Sequence, residues 1–290
     1  MLLSKALLSS QERVVGAIEG ELFRPLDLAQ VDSVGRLCDI LHHADPLGLA
    51  QFLVDTRADP IPLSELTILA PIDRQEVWAA GVTYKRSQVA RMEESEIGSS
   101  HYDLVYSADR PELFFKSLPQ RVVNPSEPIR VRADSRWTVP EPELALVMNP
   151  AGKVVGFTIG NDVSARDIEG ENPLYLPQAK VYDQCCSLGP AVLIPERPIP
   201  REELVIRLRI ERKGGTLYEN GTNAGEMARG FDELAGWLTR EYEIPDGAVL
   251  LTGTGVVPPD DLTLEAGDVV SISIDGIGTL INPVVRGRSA

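Results

Sequence analysis

Two segments in the second half of the chain alternate apolar and polar residues on either side of a short turn. The first, LVIRLRIERKGGTLY, turns at Gly214 and Gly215, and the second, VVSISIDGIGTLINPVV, turns at Asp275 and Gly276. Alternation with a period of two is typical of a strand with one buried face, and glycine permits the backbone of a tight hairpin. From Val77 onward, the sequence therefore predicts short strands joined as hairpins in a largely antiparallel sheet.

Two helices are predicted from apolar residues that recur at helical spacing. In EMARGFDELAGWLTREY these residues are Met227, Phe231, Leu234 and Leu238. In QVDSVGRLCDILHHA, near the N-terminus, they are Val34, Leu37, Ile40 and Leu41.

A domain boundary is predicted where prolines interrupt strand pairing in DPIPLSELTILAPI. The next segment, EVWAAGV, is typical of a new strand. We therefore expect a small N-terminal α/β domain over residues 1–72 and a larger domain over residues 73–290. A chain of 290 residues is long enough for this division.

The charge limits the partners of the protein. A formal net charge of -15 repels phosphate backbones and anionic membrane surfaces, so we expect no nucleic-acid and no membrane partner. Lys5 and its polar neighbours interrupt the opening segment where a secretory peptide needs an apolar stretch. Cys38, Cys185 and Cys186 form neither a disulfide framework nor a zinc-ligand spacing. A cytoplasmic location is expected.

The stretch VPEPELALVM places Glu141 and Glu143 one residue apart in front of an apolar run. In a strand these side chains share one face, with Cα atoms about 7 Å apart. A turn at residues 149–152 returns the chain as a second strand, and the simplest antiparallel pairing joins Met148 to Lys153.

In that register Thr158 lies opposite Glu143, Gly160 lies opposite Glu141, and Asp162 falls just beyond on the same face. Gly160 would leave a small opening beside the carboxylates. Three carboxylates so close repel one another unless a cation neutralises them, and hard oxygen ligands suit Mg²⁺, Mn²⁺ or Ca²⁺. A solvated acidic strand face explains the same spacing, so both interpretations stay open at this point.

Four motifs in order, EPELALVM, GFTIGNDVSARD, LPQAKVYDQCCSLGP and LLTGTG, resemble the fumarylacetoacetate hydrolase superfamily over residues 77–283. The resemblance implies an α+β fold with a mixed, largely antiparallel β-roll of that superfamily's C-terminal type. It also implies a divalent metal, Mg²⁺ with Mn²⁺ or Ca²⁺ as substitutes, held by Glu141, Glu143 and Asp162. A homodimer or homotetramer is suggested by the same resemblance.

The segments GVTY…ARMEES, ELFFKS and TGTGVVPPDD are similar to the dehydratase branch of this superfamily, which acts on 2-keto-3-deoxy-D-arabinonate. That similarity implies metal-dependent dehydration of a small 2-oxo acid, a 2-keto-3-deoxy-D-pentonate (arabinonate or xylonate), to 2,5-dioxopentanoate in pentose breakdown. It assigns Lys180 as the base at C3 and Glu112 as the acid at the C4 hydroxyl. Without the resemblance, Lys180 would be an exposed lysine and Glu112 the start of a strand.

Five residues are predicted to bind the substrate: Ser117, Arg166, Thr252, Gly253 and Thr254. Arg166 has a second interpretation, which we favour, as the partner that orients Asp162. The backbone and hydroxyl donors of LTGTG suit a carboxylate, so Thr254 ranks above Ser117. Lys116 and Ser117 would otherwise simply end a strand.

One departure from the superfamily concerns histidine. Its hydrolases commonly carry a YxxH element whose imidazole activates water, but this chain has Ser87 at that position, with His42, His43 and His101 elsewhere. The change favours loss of water over hydrolysis. The alternatives are hydrolysis or decarboxylation of an acylpyruvate or related 2-oxo acid, and a protein that binds such an acid without turnover.

Overall fold

The computed structural model describes residues 1–85 and 108–287. The first strands are β1 (Leu2–Leu7), β2 (Arg13–Glu19), β3 (Leu22–Pro25), β4 (Ile61–Pro62) and β5 (Thr67–Leu69). The later strands are β6 (Glu76–Gly81), β7 (Glu112–Ser117), β8 (Ile129–Val131), β9 (Thr138–Val139), β10 (Pro142–Met148), β11 (Val154–Asp162), β12 (Ser164–Ala165), β13 (Cys186–Leu193), β14 (Val205–Arg212), β15 (Gly215–Asn223), β16 (Ala248–Leu251), β17 (Val269–Ile274) and β18 (Gly278–Arg286). The α-helices are α1 (Leu37–Leu41), α2 (Pro46–Phe52), α3 (Arg166–Glu171), α4 (Leu176–Lys180) and α5 (Phe231–Leu238). Within the described ranges, every helix is too short or too polar to traverse a lipid bilayer.

The predicted hairpins are confirmed. Strands β14 and β15 pair across Gly214, and β17 and β18 pair across Gly276, and both glycines have positive φ angles, +79° and +83°. These four strands belong to a five-stranded sheet in the order β15-β14-β17-β18-β8. The named strands pair antiparallel except for β16 with β6 and β18 with β8, so the predicted mixed, largely antiparallel α+β fold is confirmed.

A larger sheet crosses the predicted domain boundary. Its order is β4-β3-β2-β1-β13-β11-β10-β16-β6-β7, with β5 also paired to β1. Strand β1 contacts the later region directly, because Leu2 pairs with Leu193 of β13. The two predicted parts, 1–72 and 73–290, therefore share one sheet, and the division between them stays a prediction.

The helices are shorter than their apolar patterns indicated. Helix α1 begins at Leu37, so Val34 precedes it. Helix α5 begins at Phe231, because Gly230 is its N-cap and donates its N–H to the Glu233 side chain. Met227 consequently lies ahead of the helix, although it packs in the same core.

Strand β10 is buried on both faces. Leu144, Leu146 and Met148 belong to the main core, which also contains the inner faces of β14 and β17. Ala145 packs in a separate apolar cluster on the opposite face. The face that carries Ala145 also carries Glu143, so the fold brings a carboxylate into the interior rather than to solvent.

The predicted register between β10 and β11 is wrong by two residues. In the structure Glu143 pairs with Gly160, and Ala145 pairs with Thr158. The pairing is irregular between Val147 and Met148, which moves the two strands past each other. A shift of two keeps every side chain on its predicted face, since strand side chains alternate with a period of two.

Candidate active site

Three carboxylates meet at one end of β10 and β11. Glu141 precedes β10, Glu143 lies within it, and Asp162 ends β11, where its N–H donates to the Glu141 carbonyl at 3.0 Å. Their side chains lie so that one oxygen of each is within 4.8 Å of the others. The residues are only 3%, 1% and 1% exposed, so a solvated acidic strand face is the wrong interpretation. The predicted opening at Gly160 is also wrong, because Leu251 fills that space.

Two buried lysines contact this cluster. The Nζ atom of Lys180, at the end of α4, donates to Glu141 Oε2 at 2.8 Å, to Asp162 Oδ2 at 3.2 Å and to Ser164 Oγ at 2.6 Å. The Nζ atom of Lys116, on β7, is in ion-pair contact with Asp162 Oδ1. Burial acts to lower the pKa of Lys116, but the Asp162 carboxylate opposes burial and the net pKa is raised.

Arg166 contacts a different carboxylate from the one predicted. Its guanidinium reaches Glu141 Oε1 from Nε at 3.1 Å and from a terminal nitrogen at 3.0 Å. Arg166 is thus in a position to orient Glu141, whereas the sequence predicts Asp162 as its partner. Arg166 starts α3 directly after β12, so the short segment that follows Asp162 brings the guanidinium to the cluster.

Glu143 has a different environment from the other two carboxylates. Its Oε2 accepts the backbone N–H of Gly253 at 2.5 Å. Burial, Asp162 and Glu141 raise the pKa of Glu143 well above its usual range, and Lys180 and the Gly253 N–H only partly oppose them. An added positive charge at this site would therefore favour ionisation of Glu143.

The cluster fits a divalent metal ion. Mg²⁺ binds oxygens at about 2.0–2.1 Å in octahedral geometry, which puts neighbouring ligand oxygens about 3 Å apart and opposite ones about 4 Å apart. Oxygens within 4.8 Å of one another reach this arrangement with a small inward movement. Carboxylates without histidine or cysteine are the donor set of a hard cation.

A cavity opens on the cluster. Its charged lining consists of Glu112, Glu141, Asp162, Glu169 and Lys180. The rest of its lining consists of Ala80, Gly81, Val82, Phe114, Gly253 and Thr254. A small, largely acidic cavity with a lysine beside the carboxylates is suited to moving protons on a bound organic acid.

The structure separates the predicted substrate-binding residues into two groups. Gly253 and Thr254 line the cavity, as does the predicted acid Glu112. Thr252 is completely buried and donates its hydroxyl to the Leu144 carbonyl at 2.8 Å, outside the cavity lining. Ser117 also lies outside the lining and donates to the Leu118 carbonyl at 3.0 Å.

Two charged residues of the site were not recognised in these positions from the sequence. The sequence suggests Lys116 as a substrate contact, but in the structure it contacts Asp162. No sequence motif indicated Glu169. Its position three residues after Arg166 in a helix was the available signal, because residues three apart share a helix face.

The histidines lie away from this cavity where the structure describes them. His42 is half-buried at the end of α1, where burial lowers its pKa, and His43 is exposed. Ser87 and His101 fall outside the described residues. The three cysteines are buried free thiols.

The fold that surrounds this buried centre is that of a protein of the fumarylacetoacetate hydrolase type. The family model named fumarylacetoacetate (FAA) hydrolase C-terminal matches residues 76–285. The chain belongs to this family, as the motifs indicated.

Within this family, the chain is similar to dehydratases that act on 2-keto-3-deoxy sugar acids. The chain is 55% identical over 258 residues to a probable 2-keto-3-deoxyxylonate dehydratase of Haloferax volcanii, covering 89% of this chain and 86% of that one. It is 45% identical over 229 residues to the 2-dehydro-3-deoxy-D-arabinonate dehydratase of Saccharolobus solfataricus, covering 78% and 77%. A solved structure of 2-keto-3-deoxy-D-arabinonate dehydratase complexed with magnesium and 2,5-dioxopentanoate matches with a TM-score of 0.83 and 36% identity over 100% of both chains.

Proposed function

We propose that the protein is a magnesium-dependent hydro-lyase that converts a 2-keto-3-deoxy-D-pentonate to 2,5-dioxopentanoate. The observation that carries the proposal is the position of Lys180, whose Nζ lies 2.8 Å from Glu141 and 3.2 Å from Asp162 at the wall of the cavity. This position supports Lys180 as the base, because the keto group of the substrate would bind at the cluster. The dehydratase relatives at 55% and 45% identity support this reaction.

Glu141, Glu143 and Asp162 would hold the metal. Bound Mg²⁺ supplies a Lewis acid that polarises the C2 carbonyl of the substrate. Arg166 holds Glu141 from outside the cavity, so the ligand stays oriented without the guanidinium touching substrate. Gly253 orients Glu143 through its N–H, which leaves Thr254 as the turn residue that faces the substrate.

The proton steps follow from the residues of the cavity. Lys180 donates to both Glu141 and Asp162 in the metal-free site, and it would lose these anionic partners, and with them a proton, once the two carboxylates hold the metal. As the neutral amine it removes a proton from C3, and the electron pair of that bond forms the C3–C4 double bond. Glu112, as the acid, gives its proton to the C4 hydroxyl, which leaves as water. Transfer of a proton from C5 to C3, followed by ketonisation of the C5 enol through protonation at C4, gives 2,5-dioxopentanoate.

Two further glutamates indicate the hydroxyl end of the cavity, which is the end where the hydroxyl groups of the substrate would bind. Glu112 and Glu169 line the cavity but are outside the proposed ligand set. Glu169, as a carboxylate, repels the carboxylate of the substrate and accepts hydrogen bonds from hydroxyl groups, and Glu112, as the protonated acid, can donate a hydrogen bond to a hydroxyl oxygen. We therefore place C4 and C5 of the substrate beside Glu112 and Glu169.

The hydroxyl end can be tested with 4-hydroxy-2-oxopentanoate, which lacks the C5 hydroxyl. Wild type should prefer the pentonate, and Glu169→Ala should reduce that preference in kcat/KM by about tenfold or more, the value of one hydrogen bond to a charged group. Glu169→Gln, which keeps an acceptor, should retain more of the preference. Equal losses on both substrates would contradict a hydroxyl-binding role for Glu169.

The reaction is tested with purified protein, Mg²⁺ and 2-keto-3-deoxy-D-arabinonate, with 2,5-dioxopentanoate as the product measured. Acylpyruvates are assayed in parallel, and EDTA provides the metal-free control. Acylpyruvate cleavage or decarboxylation without dehydration would refute the proposal in favour of the alternative chemistry. Binding of the pentonate with no turnover would instead indicate a binding protein.

We also propose that the protein forms a homodimer or homotetramer and is located in the cytoplasm. The family resemblance supports the assembly, and the composition supports the location.

A further inference from the structure

Lys116 is a completely buried lysine that lies behind the cavity rather than in its lining. The pairing of β7 with β6 passes from Phe115 to Ser117 while β6 advances by a single residue, so Lys116 is the extra residue of a bulge. Bulges redirect a side chain out of the regular alternation. Here the redirected side chain reaches Asp162.

The ammonium group of Lys116 joins two parts of the site. Its Nζ contacts Asp162 Oδ1, and it also donates to the main-chain carbonyl of Lys180 at 2.5 Å and to that of Val163 at 3.3 Å. The first contact holds a proposed metal ligand. The second holds the last residue of α4, from which the proposed base extends.

Lys116 and Lys180 contact different oxygens of the Asp162 carboxylate. Lys180 contacts Oδ2 at 3.2 Å from the cavity side, whereas Lys116 contacts Oδ1 from behind. A metal ion that binds Asp162 competes with Lys180 for that side of the carboxylate. The contacts of Lys116 with Oδ1 and with the two main-chain carbonyls lie outside this competition.

We propose that Lys116 is a positioning residue that couples the metal ligand Asp162 to the base Lys180. It touches neither substrate nor reacting atoms in this arrangement. Its effect is to hold a ligand oxygen and the backbone of the base at a constant separation while metal and substrate enter. This inference rests on the proposed function, since it concerns the same site.

The test compares Lys116→Met, which keeps apolar volume, with Lys116→Gln, which keeps an N–H donor without charge. Partners that orient metal ligands typically contribute 10- to 100-fold in metal affinity or activity. Lys116→Met should therefore raise the Mg²⁺ concentration for half-maximal activity by about 10-fold or more and lower kcat at saturating Mg²⁺ by 10- to 100-fold. KM for the pentonate should change by less than about threefold, and Lys116→Gln should recover part of both losses. Lys153→Met, at an exposed position, is the matched control and should behave as wild type.

A purely structural role predicts a different result. Both variants would then melt at lower temperature, with unchanged Mg²⁺ dependence and unchanged kcat below the melting transition, and that outcome would overturn the proposal. If Lys116→Met fails to fold, Lys116→Gln provides the same comparison with a smaller effect. Mg²⁺ binding is also measured by calorimetry without substrate. Wild-type protein that binds Mg²⁺ but does not dehydrate the pentonate would refute the proposed function, while the effect of Lys116 on metal affinity would still be measured.

Discussion

The three buried carboxylates are unequally compensated, so two similar substitutions should change stability in opposite directions. Glu141 contacts Arg166 at 3.0 Å and Lys180 at 2.8 Å. Among the described residues, the polar partner of Glu143 is the N–H of Gly253. We expect Glu143→Gln to stabilise the metal-free protein and Glu141→Gln to destabilise it.

The expected changes in the free energy of unfolding follow from the distances between the carboxylate oxygens. Two like charges 4.8 Å apart, the upper limit among these oxygens, repel by about 3–4 kcal/mol at an effective dielectric constant of about 20. Glu143 has two such neighbours, partly offset by Lys180, and glutamine keeps an acceptor for Gly253. The free energy of unfolding of metal-free Glu143→Gln should therefore rise by about 1–3 kcal/mol. In Glu141→Gln, Arg166 and Lys180 each lose the negative charge of one close partner in a buried site, and breaking buried ion pairs on one side costs about 3–5 kcal/mol.

The pH dependence has a defined sign. Because the pKa of Glu143 is raised in the folded protein, its contribution to stability is fully present below the ordinary value of 4.5 and is lost as pH rises through the raised value. The gain from Glu143→Gln should therefore grow as pH rises above this ordinary value. Metal binding requires the ionised carboxylate, so Mg²⁺ affinity of the wild type should increase over the same range.

The assay is urea unfolding followed by circular dichroism at pH 5 and pH 8, in EDTA and in excess Mg²⁺. Mg²⁺ at about 100 times its dissociation constant should stabilise wild type by about 2.7 kcal/mol, and both variants should lose most of this gain. Glu12→Gln, at an exposed site, is the control. The reasoning is refuted if metal-free Glu143→Gln at pH 8 is destabilised as much as Glu141→Gln.

Three further predictions concern the base, the turn and its threonines. Lys180→Ala should lower turnover by about 10²- to 10⁴-fold. Calorimetry should show that the variant binds Mg²⁺ no more weakly than wild type, because Lys180 Nζ competes with the metal for the ligand oxygens of Glu141 and Asp162. Full turnover by the variant would exclude this lysine as the base. Gly253 has φ +89°, and an added Cβ would meet Thr83, so Gly253→Ala should lower the free energy of unfolding in urea by about 2–3 kcal/mol. Gly214 has φ +79° with open space around it, so Gly214→Ala should cost only about 1 kcal/mol. Equal costs would contradict the packing argument. Thr252→Val should lower stability by about 1 kcal/mol without changing KM, and Thr254→Val should raise KM with little loss of stability; the reverse pattern would assign the substrate contact to Thr252.

The local pattern of the sequence was sufficient where one strand or one turn decides the outcome. The hairpins at Gly214 and Gly276 formed as expected, because alternation and a glycine turn act within a few residues. Asp162 reached the face of Glu141 and Glu143 despite the wrong register, since an error of two residues preserves strand parity. The family resemblance then selected the metal-site interpretation over a solvated face.

The remaining features of the site, namely which groups contact its carboxylates and lysines, were decided by contacts between distant parts of the chain. Gly253 donates to Glu143 across 110 residues of sequence, and Lys116 binds the Lys180 carbonyl across 64. Both contacts depend on which strands become neighbours, and no local period encodes that choice. By itself, the sequence determined the antiparallel hairpins and the shared face of the three carboxylates. Tertiary packing alone decided their burial, which cations Glu141 and Asp162 contact, and the absence of an ion pair at Glu143 among the described residues. These features depend on side chains that only the completed sheet brings together.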